Sequence, residues 1–367
     1  MPRFLVINYS ADISGSTVAL LKLLNNLPTN DFHLIASPNS YAAEYAKEKQ
    51  WTLSQIEVPR LFKTLSPIYW CKYLLNRKKL SHQLTHLITT TNPNYLLINC
   101  SVNLGWLKGY HSISKSKRPQ LLWFVHELEG RPQWVFNLIY KKLERDADQI
   151  LCVSKPVQQL FSHNTYLFPN ALSLPPSKPL LNPFKQKTLR LLWVGTVSPR
   201  KGLHLLADVI EHFKTLSTPI ELKIIATVTS NFKDYFHSSL AKLKQHSISY
   251  KTLIDVKEME TVYDSSHILI HTSTLPESFN RVALEAMSHG MLVFSGNQGG
   301  IQDYGVHKQN LIFFEKIAEP LPLFIKKLSE NNLLVESIQS NALKTSKGFS
   351  EEKIYERFEE ILNKPNT

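Results

Sequence analysis

Short, wholly apolar runs alternate with helix-like stretches along nearly the whole chain, and this alternation limits the fold more than any other feature. In the first half the runs predict strands at Phe4–Asn8, Phe32–Ala36, Leu96–Ile98, Leu121–Val125 and, as the last one, Ile150–Val153. Helical periodicity lies between them at Thr17–Leu27, Tyr41–Lys49, Leu104–Tyr110 and Gln133–Arg145. Strands that are apolar along their whole length are covered on both faces, as in a parallel sheet flanked by helices. The pattern therefore predicts an α/β fold with doubly wound parallel sheets.

A proline-rich break at residues 174–183 divides the chain, because four prolines in ten residues cannot continue regular structure. After the break the predicted strands are Leu189–Val194, Ile220–Ile225, Ile268–Ile270 and Leu292–Phe294, and the predicted helices are Leu203–Leu216, Lys257–Asp264, Arg281–His289 and Glu351–Leu362. A length of 367 residues suits two domains. We predict one Rossmann-like domain over 1–172, a linker over 173–188 and a second Rossmann-like domain over 189–350. The last segment, 351–367, is expected to cross back to the first domain, and a ligand is expected where strand ends meet in the cleft between the sheets.

Positive charge is concentrated before the break. Residues 1–175 hold 19 Lys and Arg against 10 Asp and Glu, and the remainder holds 23 against 20. The stretch 60–79 is basic, carries Trp70 and has helix-like apolar spacing. Such a segment is typical of a helix on an anionic membrane surface, and equally of a domain helix with a solvated basic face. No nucleic-acid partner is expected, because zinc-finger spacing and ribonucleoprotein-type aromatic motifs are missing.

The cysteines and the N-terminus bear on the compartment. Cys71, Cys100 and Cys152 form no CxxC pair, and the apolar run at the N-terminus is only four residues long. We therefore expect free thiols, no signal peptide and a cytoplasmic protein, peripheral to the membrane if the basic segment binds lipid.

The stretch Pro276–Met287 follows the predicted strand Ile268–Ile270 and reads as a polar loop that leads into a helix. The first-turn amides of a helix at the carboxyl end of a strand form a good site for an anion such as a diphosphate. Glu277 lies in the loop, and Glu285 lies two helical turns further on. A carboxylate at that distance can reach sugar hydroxyls beside the anion.

Six passages spread over most of the chain are Ser14–Ser16, His126–Glu127, Asp148–Ser154 with Phe168–Ala171, Val194–Gly202, Glu277–Glu285 and Gly299–Gly300. In this order they resemble the corresponding passages of the retaining glycosyltransferases of family 4, which have the two-Rossmann architecture called GT-B.

The resemblance implies how the donor, a nucleoside diphosphate sugar, is bound. Lys201 is the cation for the diphosphate, and Arg200 beside it supplies the charge that the family often has at the position of Thr196. Both charges reinforce a helix N-terminus. Two solvated basic residues at a helix start are the alternative.

The Glu277–Glu285 passage supplies the other donor contacts that the resemblance implies. Glu285 binds the ribose hydroxyls, and Glu277 lies near the transferred sugar. The backbone amides of Ser278, Phe279 and Asn280 contact sugar or phosphate. Asn280 replaces the usual glycine, and asparagine tolerates a left-handed backbone. An ordinary solvated helix carboxylate is the alternative for Glu285.

The first domain contributes fewer implied contacts. Gly15 and Ser16 let the backbone approach the phosphate, and His126 contacts a hydroxyl of the donor sugar. Without the resemblance, His126 reads as a buried histidine whose partner is a neighbouring side chain.

The resemblance implies an enzyme that transfers a sugar with retention to a hydroxyl acceptor, a glycan or a lipid-linked precursor of a cell-surface polysaccharide. No cofactor and no metal are expected, and Asp146-Ala147-Asp148, which spells a metal motif of another architecture, reads as structural. A non-catalytic protein that binds nucleotide sugars and a nucleotide-sugar epimerase are the alternatives.

Overall fold

The computed structural model describes residues 3–8, 14–56, 67–128, 133–254 and 258–364, with only the backbone for 67–77. The chain forms two compact units. The N-terminal unit comprises Met1–Ala171 and Glu351–Thr367, and the C-terminal unit comprises Leu172–Ser350. Within the described part of the chain, no helix combines the length and the apolar character needed to cross a membrane.

The N-terminal unit is built on a seven-stranded parallel sheet with the order β3-β2-β1-β4-β5-β6-β7. Its strands are β1 (Phe4–Asn8), β2 (Phe32–Ala36), β3 (Leu53–Gln55), β4 (Tyr95–Asn99), β5 (Gln120–Val125), β6 (Gln149–Cys152) and β7 (Thr165–Leu167). Its first helices are α1 (Gly15–Asn25), α2 (Tyr41–Glu48), α3 (Pro67–Thr91), α4 (Leu107–His111), α5 (Gln133–Asp146) and α6 (Lys155–Gln158). The strand order reverses between β1 and β4, so the carboxyl ends of these two strands flank a crevice of the kind that binds ligands.

The C-terminal unit has a six-stranded parallel sheet with the order β10-β9-β8-β11-β12-β13. Its strands are β8 (Leu189–Thr196), β9 (Ile220–Thr227), β10 (Tyr250–Ile254), β11 (Ile268–His271), β12 (Leu292–Ser295) and β13 (Ile312–Phe313). Its helices are α7 (Leu206–Glu211), α8 (Lys233–Gln245), α9 (Met259–Asp264), α10 (Arg281–Ser288), α11 (Leu321–Glu330) and α12 (Asn332–Lys347). Here the order reverses between β8 and β11, which places the corresponding crevice beside the loops that follow those strands. The predicted class, two doubly wound parallel sheets, is confirmed.

The last helix, α13 (Glu351–Leu362), belongs to the N-terminal unit. Phe358 packs against Phe4 and Phe168, with ring centroids 5.6 Å and 5.5 Å apart. At the surface, Nη1 of Arg3 donates to Oε1 of Glu359 at 3.1 Å. The apolar side of α13 therefore completes the core beside β1.

Several sequence expectations for single elements are wrong. Ile150–Val153 does not close the first half, because β7 follows it, and β3, β10 and β13 were also missed. All four are outermost strands of their sheets. The edge strands β3, β7 and β13 have only two or three residues, and β3, β7 and β10 are only partly buried, so none of them needs a long apolar run. Helices α6, α8, α11 and α12 were missed as well.

The helix predicted over Leu203–Leu216 is α-helical only in its middle part. It begins with a 3-10 turn at Leu203–Leu205, continues as α7 and ends in a second 3-10 turn at His212–Thr215. Tightened turns of this kind are frequent at helix ends.

The basic stretch 60–79 is only partly visible. Residues 60–66 lie outside the described residues, and α3 begins at Pro67 with side chains described only from Lys78. The predicted linker 173–188 contains neither strand nor α-helix, and its carbonyl at Leu181 accepts a hydrogen bond from Nε2 of Gln339 at 3.0 Å.

Candidate functional site

The C-terminal unit brings Lys201 and Glu277 together at the point where the strand order reverses. Lys201 ends a 3-10 turn, Pro199–Lys201, after β8, and Glu277 lies in the loop between β11 and α10. Nζ of Lys201 donates to Oε1 of Glu277 at 2.5 Å, and their side chains are only 14% and 13% exposed. A charged pair with so little exposure is screened weakly by solvent, so each charge strongly affects the other.

The backbone around Lys201 is fastened to the loop after β11. Gly202 has φ 67°, and a Cβ built on it would lie 1.9 Å from the carbonyl oxygen of Thr272. The amide of Thr274 donates to the carbonyl of Arg200 at 2.8 Å, and Oγ1 of Thr272 donates to the carbonyl of Lys201 at 3.2 Å. Only glycine allows so close an approach, and this approach sets where the Lys201 side chain begins.

Two further side chains surround Glu277, and neither was named by the sequence analysis. Nε2 of His271 lies 3.1 Å from Oε1 of Glu277, and the hydroxyl of Ser273 donates to the same oxygen. Burial alone would raise the pKa of Glu277, but its contacts with His271 and Lys201 outweigh burial and hold that pKa well below its usual value. Glu277 is therefore a carboxylate at neutral pH.

The loop from Glu277 to Asn280 presents backbone donors at the start of α10. Asn280 adopts φ 64°, the left-handed conformation that the sequence predicted it would tolerate, and its side chain accepts from the amide of Ala283 at 3.3 Å. No described residue accepts a hydrogen bond from the amides of Ser278, Phe279 or Asn280. Three such donors at a helix N-terminus favour an anionic ligand. The Phe279 side chain is itself buried against Tyr304, with ring centroids 5.7 Å apart.

Gly299 and Gly300 support this loop from behind. A Cβ on Gly299 would lie 2.3 Å from the carbonyl oxygen of Glu277, and one on Gly300 would lie 2.2 Å from that of Ser278. The amide of Gly300 donates to the carbonyl of Glu277 at 2.8 Å. The double glycine thus lets a second backbone segment fix the loop that carries the three donors.

Glu285 lies on α10 and is half-buried. Its Oε2 accepts from the hydroxyl of Tyr263 at 2.7 Å, and its Oε1 accepts from Nη2 of Arg281 at 2.6 Å. These two contacts use two of a carboxylate's roughly four acceptor positions. Glu285 is not the solvated helix carboxylate considered as the alternative.

Arg200, unlike its neighbour Lys201, is exposed, and no described residue forms a hydrogen bond or ion pair with its side chain. Thr196 is also exposed at the end of β8. The family often has an arginine at the position of Thr196. That Arg200 takes over its role in binding a diphosphate stays a prediction.

In the N-terminal unit the predicted residues His126 and Ser16 both contact Asn99, the last residue of β4. Oδ1 of Asn99 lies 2.9 Å from Nε2 of His126, and Nδ2 of Asn99 donates to the carbonyl of Ser16 at 3.3 Å and to Oδ1 of Asn8 at 2.8 Å. His126 is thus a buried histidine with a neighbouring partner, which was the alternative interpretation, and its contact with a sugar stays a prediction. Gly15 begins α1, behind the cap that Ser14 provides for the amide of Thr17.

No group of His, Cys, Asp or Glu side chains among the described residues is arranged to hold a metal ion. Asp146 and Asp148 have partners of other kinds. Asp146 pairs with Lys142 at 2.7 Å, and Oδ2 of Asp148 accepts from the amide of Leu121 at 2.6 Å. These contacts fasten α5 and the loop before β6.

The sequence analysis missed His271, Ser273, Tyr263 and Asn99. A sequence signal was present for two of them. His271 and Asn99 are polar residues at the last position of an otherwise apolar strand, which in a parallel sheet is the end that faces the ligand. Ser273 and Tyr263 carry no such signal, because only the folded chain brings them to Glu277 and Glu285.

The two parallel-sheet units define the class: this is the GT-B fold of glycosyltransferases. The crystal structure of HepE of Anabaena with UDP and glucose superposes on the chain with a TM-score of 0.79, at 17% identity and 100% coverage of both chains. Residues 181–345 match the family model described as Glycosyl transferases group 1. The matched residues lie within the C-terminal unit.

Two curated relatives match in sequence. The lipopolysaccharide 1,2-N-acetylglucosaminetransferase of Salmonella typhimurium is 28% identical over 122 residues, which cover 31% of this chain and 32% of that protein. The phosphatidylinositol N-acetylglucosaminyltransferase GPI3 subunit of Saccharomyces cerevisiae is 22% identical over 226 residues, which cover 58% of this chain and 48% of the relative. The matched regions thus span about a third and about half of these relatives.

Proposed function

We propose that the protein is a retaining glycosyltransferase that moves a sugar from a nucleoside diphosphate donor to a hydroxyl of an acceptor. The observation that carries this proposal is the contact between Lys201 and Glu277 beside the three amides of Ser278, Phe279 and Asn280. A cation and three N–H donors suit a diphosphate, and a carboxylate next to them suits sugar hydroxyls. The family model that matches residues 181–345, Glycosyl transferases group 1, supports the same chemistry.

The proposed role of each residue follows from its charge and hydrogen-bonding groups. Lys201 and the three amides stabilise the negative charge that develops on the departing diphosphate, which is the main electrostatic task of such a transfer. Glu285 binds the ribose hydroxyls of the donor, and Glu277 binds the transferred sugar. Arg200 adds a second cation for the diphosphate. The resemblance to family 4 assigns His126 to a hydroxyl of the donor sugar and the Gly15–Ser16 backbone to the phosphate.

Retention is the stereochemical part of the proposal. Oε1 of Glu277 contacts Lys201, His271 and Ser273, which hold the carboxylate in place. A mechanism in which the departing phosphate takes the acceptor proton requires no protein nucleophile and agrees with the resemblance to family 4. Proton NMR of the first product formed decides the question, since inversion of the anomeric configuration would contradict the proposal.

The acceptor is proposed to be a glycan or lipid-linked precursor at an anionic membrane surface, reached through the basic stretch 60–79. The excess of basic residues in the N-terminal half supports it. We expect the protein to sediment with liposomes that contain anionic lipid and not with neutral ones, and charge reversal at Arg77, Lys78 and Lys79 to abolish the difference. Sedimentation that is indifferent to both changes would contradict the membrane part alone.

The donor site is tested by thermal unfolding with uridine, guanosine, adenosine and thymidine diphosphates and their sugars. UDP comes first, because HepE was crystallised with UDP and glucose. A ligand at about 100 times its dissociation constant adds about 2.7 kcal/mol to the free energy of unfolding. We expect one nucleotide to stabilise the wild type and Glu285→Gln to lose half or more of that stabilisation at the same concentration, because the ribose hydroxyls lose a charged acceptor.

Glu336→Gln is the matched control, because it removes an exposed carboxylate of α12 in the same unit. It should be stabilised as the wild type is. If no nucleotide or nucleotide sugar stabilises the wild type, the donor site does not bind the proposed ligand and the proposed function is wrong. If the protein converts a stabilising nucleotide sugar to its epimer in the absence of an acceptor, the chain is a nucleotide-sugar epimerase instead.

A further inference from the structure

We propose that His271 is a positioning residue of the donor site, that it carries its proton on Nε2, and that Asn280 fixes this arrangement by donating to Nδ1. His271 then orients the Glu277 carboxylate toward the transferred sugar. This inference rests on the proposed function. It gives a role to Asn280, which stands where the family usually has glycine.

The orientation of the Asn280 amide is determined by two neighbours. Oδ1 of Asn280 accepts from the amide of Ala283 at 3.3 Å, so the nitrogen of the same amide group faces the other way. That nitrogen, Nδ2, lies 3.2 Å from Nδ1 of His271. An amide nitrogen can only donate, so Nδ1 of His271 accepts and carries no proton.

The opposite edge of the imidazole faces an acceptor. Nε2 of His271 lies 3.1 Å from Oε1 of Glu277, and an ionised carboxylate can only accept. Glu277 is ionised, as its contacts with Lys201 indicate. The proton of His271 is therefore on Nε2. The hydroxyl oxygen of Ser295 lies 3.0 Å from Nδ1, and its own proton is donated to the carbonyl of Gly296 at 3.2 Å.

This arrangement treats the two oxygens of Glu277 differently. Oε1 receives the ammonium of Lys201, the imidazole of His271 and the hydroxyl of Ser273. Among the described residues no donor reaches Oε2. Since the Glu277 side chain keeps 13% of its surface exposed, Oε2 is the oxygen that meets the sugar. Through Nε2, His271 provides a donor to Oε1 and leaves Oε2 open.

The positioning role is tested with His271→Phe and His271→Gln. Phenylalanine keeps a planar ring but donates nothing, whereas the side-chain amide of glutamine can still donate to Glu277. Because a hydrogen bond to a charged group is lost, kcat/KM for the nucleoside diphosphate sugar should fall about tenfold to 100-fold in His271→Phe. Binding of the nucleoside diphosphate without sugar should change less than about threefold, and His271→Gln should recover most of the activity.

The outcomes separate the two proposals. Equal losses in nucleotide binding and in transfer would mean that His271 only supports the fold, and unchanged transfer in His271→Phe would also overturn the positioning role. A wild type that binds no nucleotide would overturn the proposed function instead.

The protonation is tested separately by the nitrogen spectrum of histidine-labelled protein. At about pH 7, where a free imidazole is already mostly neutral but exchanges its proton between both nitrogens, the wild type should show His271 fixed with Nδ1 unprotonated. Asn280→Asp keeps the cap and the size of the side chain but offers an acceptor to Nδ1. That variant should move a proton to Nδ1, and an unchanged His271 signal would overturn the assignment to Asn280.

Discussion

Replacing Lys201 by glutamine should lower the rate of sugar transfer by about 100-fold to 1,000-fold, the usual cost of removing one preorganised group that stabilises transition-state charge. The ammonium of Lys201 is fixed by Glu277 at 2.5 Å and by the close packing of Gly202, so it needs no reorganisation when the diphosphate departs. Glutamine keeps most of the side-chain length and loses the charge. The measurement is kcat with saturating donor and acceptor.

Lys344→Gln is the matched control, because it removes an exposed lysine from α12 in the same unit, and it should keep wild-type kcat. The Lys201 variant also leaves Glu277 without its cation, so both proteins are assayed well below their unfolding temperatures. A kcat within threefold of the wild type in Lys201→Gln would contradict the assignment of Lys201 to the departing diphosphate.

Replacing Gly202 by alanine should lower the free energy of unfolding by about 2–4 kcal/mol, since the left-handed backbone alone costs about 1–2 kcal/mol for a residue with a side chain. The remainder comes from the contact between the new Cβ and the carbonyl oxygen of Thr272, 1.9 Å away before relaxation. Both partners belong to backbone that is hydrogen-bonded on either side, so neither can withdraw freely. Chemical denaturation of the two proteins measures the difference.

The same change at Gly348 is the control. Gly348 follows α12 with ordinary helical φ and ψ of −67° and −11°, and its new Cβ would lie 3.3 Å from its nearest neighbour. Alanine there should alter the free energy of unfolding by less than about 1 kcal/mol in either direction. Equal losses at Gly202 and Gly348 would show that the close approach to Thr272 does not matter for stability.

The central part of each sheet was predictable from sequence, and its edges were not. Strands such as β1 and β12 are covered on both faces, so all of their side chains are buried. Such strands are recognisable in the sequence as runs of mostly apolar residues. Outer strands such as β10 have neighbours on one side only and tolerate Lys251 and Thr252. Their positions are decided by pairing with the next strand, which a single stretch of sequence does not contain.

The candidate site divides in a similar way. The positions of Lys201, Glu277 and Asn280 follow from loops after buried strands, which the apolar runs locate. The partners of Glu277 depend on side chains that meet only after folding, because His271 and Ser273 come from the end of β11 and Lys201 comes from beyond β8. The loop pattern predicted that a carboxylate was there, and the tertiary contacts decide which of its oxygens is occupied.

The path of the chain through α13 has a consequence for the order in which the protein is made. The C-terminal unit is one continuous stretch, whereas the N-terminal unit needs both Met1–Ala171 and Glu351–Thr367. Domains generally fold as units while the chain emerges from the ribosome. The N-terminal sheet emerges first. Phe358, which packs against Phe4 and Phe168, is synthesised only after the entire C-terminal unit. The unit that is begun first is therefore the one that is completed last.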